Sequence, residues 1–460
     1  VPTGAIAMLE RLKLQNFKAW HEADIRFGKV TGLFGTNSAG KSSILQLLLL
    51  LKQTRNATDR GLVLDFGGPT DMANLGTFAD VVHGHDENER MGWSLGWTLP
   101  KKLRTGDPAT LRSDPLFEDN RLQTRCTVGL RQARLWAYQL AYDFDGVEFR
   151  LRPRTETGTK FELTNDSEDF EFIRNRGRAW PLPHPIKTYR FPYETRSYYQ
   201  NADFLGDFEL AYENLMDSIY YLGPLREYPR REYHWAGSSP DDVGQRGERA
   251  VDAILAATLR GETRSLGFRK RGKPFQGMVA HWLRELGLIH AFRLEEIAKG
   301  TNLYRAIVKT SSSSVPTALT DVGFGVSQVL PALVLLYYVP EGSTVLMEQP
   351  EIHLHPSVQS GLADLMLNVA RARNVQIIVE SHSEHLMRRL QRRVAEAETS
   401  AESVQLYFVS TERGTARIAD LDLNKWGEIE NWPENFFGNE MGEIAEIAKA
   451  SLNRKMEQTG

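Results

Sequence analysis

The sequence predicts an α/β fold organised on a parallel sheet, and three stretches predict it. An apolar run, Val30 to Phe34, is followed by Gly35-Thr36-Asn37-Ser38-Ala39-Gly40-Lys41-Ser42-Ser43 and then by the leucine-rich run Ile44 to Leu51. A second run, Ser343 to Met347, ends in Glu348-Gln349-Pro350-Glu351, and a third, Val375 to Val379, ends in Glu380-Ser381-His382. Short continuous apolar runs alternating with helical text read as buried parallel strands.

The first stretch has the spacing of a P-loop. A strand feeding this turn and then a helix points successive backbone N–H groups inward, where they cradle a phosphate at a helix N-terminus. Gly35 and Gly40 permit backbone angles and a close approach that a Cβ would block. Lys41 reaches the β- and γ-phosphates of a nucleotide, and the Ser42 hydroxyl can ligate Mg²⁺. Thr36, Asn37, Ser38, Ala39 and Ser43 complete the nucleotide-binding segment.

Bulk composition excludes little. With 460 residues, 41% hydrophobic and 25% charged, the chain has material for more than one lobe and the make-up of an ordinary globular protein. A formal net charge of -3 leaves any nucleic-acid contact to a local basic patch. The single cysteine, Cys126, excludes an internal disulfide and a cysteine-rich zinc site. No apolar run reaches the ~20 residues a membrane span needs, and Val1 to Ala7 lacks the pattern of a signal peptide. The expected compartment is the cytoplasm, without membrane attachment.

Taken in order, Leu9 to Phe27 reads as two strands leading into the P-loop strand, because Leu12, Leu14 and Phe17 space a half-buried face. The following helix, Ser42 to about Thr54, is apolar nearly all round, as a helix packed on a central sheet should be. The next segment, Gly61 to Gly84, holds no glutamine placed to sense a γ-phosphate, and Gln53 falls on the helix itself. From Met91 to about Leu163 the alternation in Leu135 to Tyr142 and Val147 to Leu151 predicts an antiparallel meander, with Asp143 to Gly146 as a hairpin turn. Asn165 to Tyr199, polar and rich in Arg and Pro, reads as a flexible surface segment. Helical periodicity covers Leu205 to Ile219, Glu248 to Leu259 and Pro274 to Leu286, with no sustained heptad. Parallel-sheet text is expected to return after Tyr304. An apolar helix after Gly323-Phe324-Gly325-Val326-Ser327-Gln328 then precedes the second and third stretches.

Together these pieces resemble the ABC-type ATPases of the SMC, RecF and OLD-nuclease group, especially compact bacterial members with a Glu-x-Pro-Glu-Ile-His-Leu-His-Pro box, here Glu348 to Pro356. The resemblance covers Leu9 to Gly84 and Tyr304 to His385 well and the middle loosely. Tyr221-Leu222-Gly223-Pro224-Leu225-Arg226 and Asp242 to Glu248 look like segments such ATPases carry, with no derivable mechanism. The resemblance implies that Glu348 holds Mg²⁺ through water, with glutamate replacing the commoner aspartate, that Glu351 polarises the attacking water, and that His382 contacts the γ-phosphate. It implies that Gly323, Gly325 and Ser327 grip ATP bound to a second copy, Gly325 or Ser327 facing the phosphate, so that ATP joins a head-to-tail homodimer or higher homo-oligomer. His353 and His355 with Glu351 read as part of a subunit-facing loop rather than as a metal site.

The implied fold is an ABC/SMC-type P-loop ATPase head with an inserted antiparallel β lobe and a short helical insertion. Its expected parts are 8–90 and 301–423 for the head, 91–204 for the β insertion, 205–300 for the helical insertion, and 424–460 for a docking or lid segment carrying Trp426, Trp432, Phe436 and Phe437. The about 78 residues after His382 are expected to be too few for the Toprim nuclease domain of OLD proteins. The basic stretches Arg260 to Lys273 and Arg388 to Arg393 read as solvated surface or as a DNA-binding face. The expected function is an ATP-hydrolysing switch, with cofactors ATP and Mg²⁺, that controls a separate effector nuclease or toxin in bacterial antiviral defence. A RecF-like DNA-repair ATPase is the alternative, and a transporter motor subunit fits less well because of the long insertions.

Overall fold

Val30 and Phe34 pack into one hydrophobic core and Leu33 into another, so the strand they share is buried on both faces, as period-two alternation in a central strand requires. The computed structural model describes residues 7–106, 115–155, 158–177, 180–265, 271–433 and 450. In chain order, β1 (Met8–Phe17) and β2 (Trp20–Arg26) precede β3 (Val30–Gly35) and the helix α1 (Lys41–Asn56). The short α2 (Phe78–Val81) leads to β4 (Met91–Thr105), β5 (Phe117–Arg131), β6 (Arg134–Phe144), β7 (Val147–Pro153) and β8 (Phe161–Asn165). Then come α3 (Glu194–Tyr198), α4 (Leu205–Asp217), β9 (Ile219–Leu222), β10 (Tyr233–His234), α5 (Ala250–Leu259), β11 (Thr263–Arg264), β12 (Lys273–Pro274) and α6 (Phe275–Glu285). The chain continues through β13 (Ala291–Glu296), β14 (Leu303–Lys309), β15 (Thr317–Ala318), α7 (Phe324–Tyr338), β16 (Thr344–Glu348) and α8 (Pro356–Arg373). It ends in β17 (Gln376–Glu380), α9 (Glu384–Ala395), β18 (Val404–Glu412) and β19 (Thr415–Asp420).

The strands that bear the site lie in a six-stranded sheet of order β19-β18-β3-β17-β16-β9. All its pairings are parallel except β18 with β19. β17 separates the P-loop strand from β16, with Glu380 in register opposite both Leu33 and Glu348. Helices α1 and α4 cover one face and α5 to α9 the other. Beyond α1 stands a seven-stranded antiparallel sheet of order β2-β1-β4-β5-β6-β7-β8. The buried Gln376 side chain ties the two sheets together, donating to the Leu9 (2.8 Å) and Gly28 (3.0 Å) carbonyls and accepting the Leu9 N–H (3.0 Å).

Four local expectations are corrected. The antiparallel sheet is not confined to the expected β insertion at 91–204, because β4 pairs with β1 (Leu12 opposite Leu95) and makes the N-terminal hairpin the edge of the same sheet. The segment 205–300 is not wholly helical: β9 joins the parallel sheet beside β16, and β13 pairs antiparallel with β14. Parallel text therefore resumes at Thr344 rather than after Tyr304, since β14 pairs antiparallel with β10, β13 and β15. Finally, Asn165 to Tyr199 is not a surface segment throughout, because Phe170, Leu182, Tyr189, Phe191 and Tyr199 are buried in the core under the antiparallel sheet.

Candidate active site

The turn between β3 and α1 has the backbone that its glycines imply. Gly35 has φ 133° and Gly40 φ 100°, both in the region that side chains disfavour. A Cβ on Gly35 would stand 1.9 Å from the Val409 carbonyl oxygen, so β18 closes one side of the loop too tightly for any other residue. Trp20, fully buried, donates its indole N–H to the Gly40 carbonyl at 3.0 Å and braces the other side. Lys41 is 3% exposed, and its ammonium donates to the Thr36 (2.7 Å) and Gly35 (3.2 Å) carbonyls. Burial lowers its pKa, while Glu380 and Glu351 work to hold the charge.

Three carboxylates converge on this loop from the ends of two strands. Glu348 ends β16, Glu380 ends β17, and the two are register neighbours. The Tyr221 hydroxyl, from β9, donates to Glu348 Oε1 at 2.8 Å. Burial and then the nearby Glu380 push the Glu348 carboxyl up to about 7. Burial also raises Glu380, against the Ser42 hydroxyl and Lys41, which favour its charged form. Glu351 Oε1 accepts the His382 backbone N–H at 2.7 Å, while burial raises its pKa. The His382 ring is exposed at the surface, and its pKa is lowered by partial burial and by Lys41, with the Gly35 backbone opposing.

Every one of these carboxyls is raised, and burial is the first cause for each. The second oxygens of Glu351 and Glu380 are buried without a hydrogen-bond partner. Ser42, Glu348 and Glu380 supply the hard oxygen donors that Mg²⁺ takes, so the residues fit a divalent cation beside a phosphate cradle. Glu380 is a site group that sequence reasoning passed over. Its signal was the same as that of Glu348, a carboxylate ending an otherwise apolar strand.

The other expected groups sort by geometry. Gly323 is the exposed N-terminal boundary of α7, followed by the half-exposed Phe324. Ser327 is buried and donates its hydroxyl to the Phe324 carbonyl at 2.8 Å, so the outward groups of this turn are the amides of Gly323 to Gly325, not the serine. His355 caps α8 through Ser357, at 2.9 Å to the hydroxyl and 3.3 Å to the N–H, and the His353 ring lies 6.3 Å from that of Phe324. Among the described residues, no three His, Cys, Asp or Glu side chains form a metal-binding group by themselves. Gln53 bonds the loop at Asp65 and Ala73, a scaffolding role. The α9 arginines are largely neutralised, Arg388 by Glu384, Arg389 and Arg393 by Asp364, and Arg392 by Glu396, whereas in the 260–273 stretch Arg260 and Arg264 share the single Glu262. Arg269 and Lys270 lie outside the described residues, as do Phe436 and Phe437 of the docking segment. Trp426 is 65% and Trp432 40% exposed. Among the described residues no helix is long and apolar enough to cross a membrane.

Comparison with known proteins is consistent with this geometry. A family described as "AAA domain, putative AbiEii toxin, Type IV TA system" matches residues 147–388, and one described as "AAA ATPase domain" matches residues 8–94. Residues 400–447 match a family described as a protein of unknown function, DUF3696. An OLD nuclease of Thermus scotoductus is 23% identical over 383 residues, which is 82% of this chain and 59% of that protein. The chain thus spans about three fifths of the length of this curated relative. Among solved structures, an SMC head bound to the C-terminal winged-helix domain of ScpA overlays with TM-score 0.43 at 13% identity, over 91% of this chain and 98% of that one. The SMC head domain from Thermotoga maritima overlays with TM-score 0.38 at 12% identity, over 90% and 99%. The fold assignment stands on the strand order and register rather than on these overlays.

Proposed function

The chain belongs to the AAA-domain family whose profile spans residues 147–388 and is an ATP-hydrolysing enzyme, and from that premise we propose that it works as a nucleotide switch: ATP joins two copies, and the joined state controls a separate effector. The observation that carries the reading is the convergence of Lys41, Glu348, Glu351, Glu380 and His382 on one loop at the ends of β3, β16 and β17.

In this reading the amides of Gly35 to Ser43 cradle the β-phosphate, and Lys41 turns from its own loop carbonyls to the β- and γ-phosphates. Mg²⁺, held by Ser42 and Glu348, would neutralise charge on the phosphates. Glu351 orients and polarises the attacking water, its carboxylate held by the His382 amide, and His382 contacts the γ-phosphate. The gap left on the open side of the γ-phosphate is closed by the first turn of α7 from a second copy. An exposed apolar patch supports that interface: Phe324 (50% exposed) meets Tyr228 (69%) edge-on at 5.6 Å, with Leu225 (69%) in the same loop as Tyr228.

The effector is a nuclease or a toxin, a reading supported by the name of the matched OLD nuclease and by the family's description. Antiviral defence is the setting this implies. The paired arginines on α9 and at 260–264 supply no observation that favours a DNA-repair role. Steady-state phosphate release by the full chain tests the site: turnover that requires Mg²⁺ and disappears in Lys41→Ala supports it, and turnover persisting in that variant overturns it.

A further inference from the structure

Two arginines are buried to the same degree, 7% exposed, and only one of them is paired. Arg373 donates from both terminal nitrogens to the Leu336 (2.9 Å) and Val339 (2.7 Å) carbonyls at the C-terminal end of α7, and only its Nε lacks a partner. Arg226 has no hydrogen-bond partner on Nε, Nη1 or Nη2. A guanidinium carries five N–H donors and does not lose its charge near neutral pH. Burying it unpaired is costly, so a native fold that keeps one requires a reason.

The position supplies it. Arg226 follows β9, whose Tyr221 holds Glu348. Its loop is pinned by the Gly223 N–H to the Gln245 carbonyl and the Glu227 N–H to the Arg246 carbonyl, each at 2.8 Å. Gly223 leaves space for this packing, since a Cβ there would lie 3.1 Å from the Tyr221 hydroxyl. The charge of Arg226 acts on Tyr221, Glu351 and Glu348, and burial draws its own pKa down to about 10, still charged at neutral pH. Glu351 Oε2, on one of the carboxylates that Arg226 acts on, and Glu380 Oε2 are likewise buried without a hydrogen-bond partner. A buried cation and buried carboxylate oxygens that do not satisfy each other define two missing complements, an anion for the guanidinium and a cation for the carboxylates. A Mg²⁺-bound nucleoside triphosphate brings both.

We propose that Arg226 is a further substrate-binding residue of this site, its guanidinium pairing with the terminal phosphate of the bound triphosphate or with the inorganic phosphate formed from it. The inference rests on reading the P-loop as an ATP site. The terminal phosphate is favoured over the β-phosphate because Arg226 acts on Glu351 and Glu348, whereas Lys41 lies over the loop that cradles the β-phosphate.

The test compares the full chain with Arg226→Met and Arg226→Lys, measuring affinity for Mg²⁺-ATPγS and Mg²⁺-ADP and the melting temperature without nucleotide. In Arg226→Met the ATPγS affinity should fall about tenfold or more while ADP changes less than about twofold, the loss expected for a charge-assisted contact to one phosphate. Arg226→Lys should recover part of it. The unliganded melting temperature should stay level or rise, because an unpaired buried charge has been removed. Inorganic phosphate titrated onto the ADP complex separates the two anions: a loss confined to ATPγS assigns the contact to the triphosphate, and a loss shared by phosphate extends it to the product. An unchanged ATPγS-to-ADP ratio, or a lower melting temperature with both affinities falling in parallel, overturns the proposal in favour of a structural ion pair. Wild-type protein that binds neither nucleotide would instead sink the ATP-site reading itself, and this inference with it.

Discussion

Glu351 and Glu348 stand three residues apart, yet their surroundings assign them different tasks. Glu348 is held by a tyrosine hydroxyl at a strand end, next to a second carboxylate. Glu351 is fixed through one oxygen by a backbone amide and keeps the other free. A free carboxylate oxygen in a buried site suits proton abstraction from water, and burial raises this carboxyl above its ordinary value, the direction that strengthens a general base. Glu351→Gln keeps the shape and the acceptor for the His382 amide but loses the base. It should bind ATP with near wild-type affinity and lose about 10²-fold or more in turnover. Equal phosphate release in the two proteins would assign the base elsewhere. The pairing of P-loop and acidic box was legible because each is local, with spacing that encodes a strand, a turn and a helix. Glu380 carries the same strand-end signal as Glu348, but its role, like that of Arg226, was not legible in the same way. Their roles come from register against β16 and from an unpaired charge, and neither property exists until distant segments meet.

The elements repeat this division at larger scale. α4, α5 and α6 could be read from periodicity because a helix buries a stripe its own sequence displays, and α1 from the P-loop before it and an apolar run nearly all round. β9 was hidden because four residues at the end of a helical segment cannot announce which sheet they join. The β1–β4 pairing was hidden because it joins residues about eighty apart, such as Leu12 and Leu95. Packing under that antiparallel sheet also makes a testable electrostatic site on α4. Glu209 accepts the Phe191 N–H at 2.8 Å and is only 13% exposed, and burial pushes its carboxyl up to about 6 against an ordinary 4.5. A raised folded-state pKa means the folded chain binds the proton more tightly. The contribution of this group to stability is therefore fully present below about 4.5 and is lost as pH rises through about 6. The difference corresponds to about 2 kcal/mol at most. Glu209→Gln should then raise the melting temperature at pH 7, and the gain should vanish near pH 4.5. A gain of equal size at both pH values would mean that burial of the charge is not its cause.

At the scale of the whole molecule, the question is what one copy leaves undone. The P-loop is braced by Trp20 and β18 on two sides, and the carboxylates close a third. In the switch reading the fourth side belongs to the first turn of α7 from a second copy, so association should depend on ATP and should be strongest when hydrolysis is blocked. The outward groups of that turn are the amides of Gly323 to Gly325 and the Phe324 ring, with Tyr228 and His353 beside it. An exposed aromatic cluster of this kind has the composition of an interface anchor, and its loss should cost more than the loss of any rim charge. Phe324→Asp places a carboxylate where the anchor and the partner's phosphate would meet, repelling both the apolar face and the nucleotide. In a Glu351→Gln background, ATP should convert the chain to a more compact, dimeric form in small-angle scattering and sedimentation. Adding Phe324→Asp should abolish that change while each copy still binds ATP at Lys41. If the double variant responds to ATP as the single variant does, the face at α7 is not the contact. If neither responds while both bind nucleotide, ATP does not act by joining copies, and the switch must work within one chain.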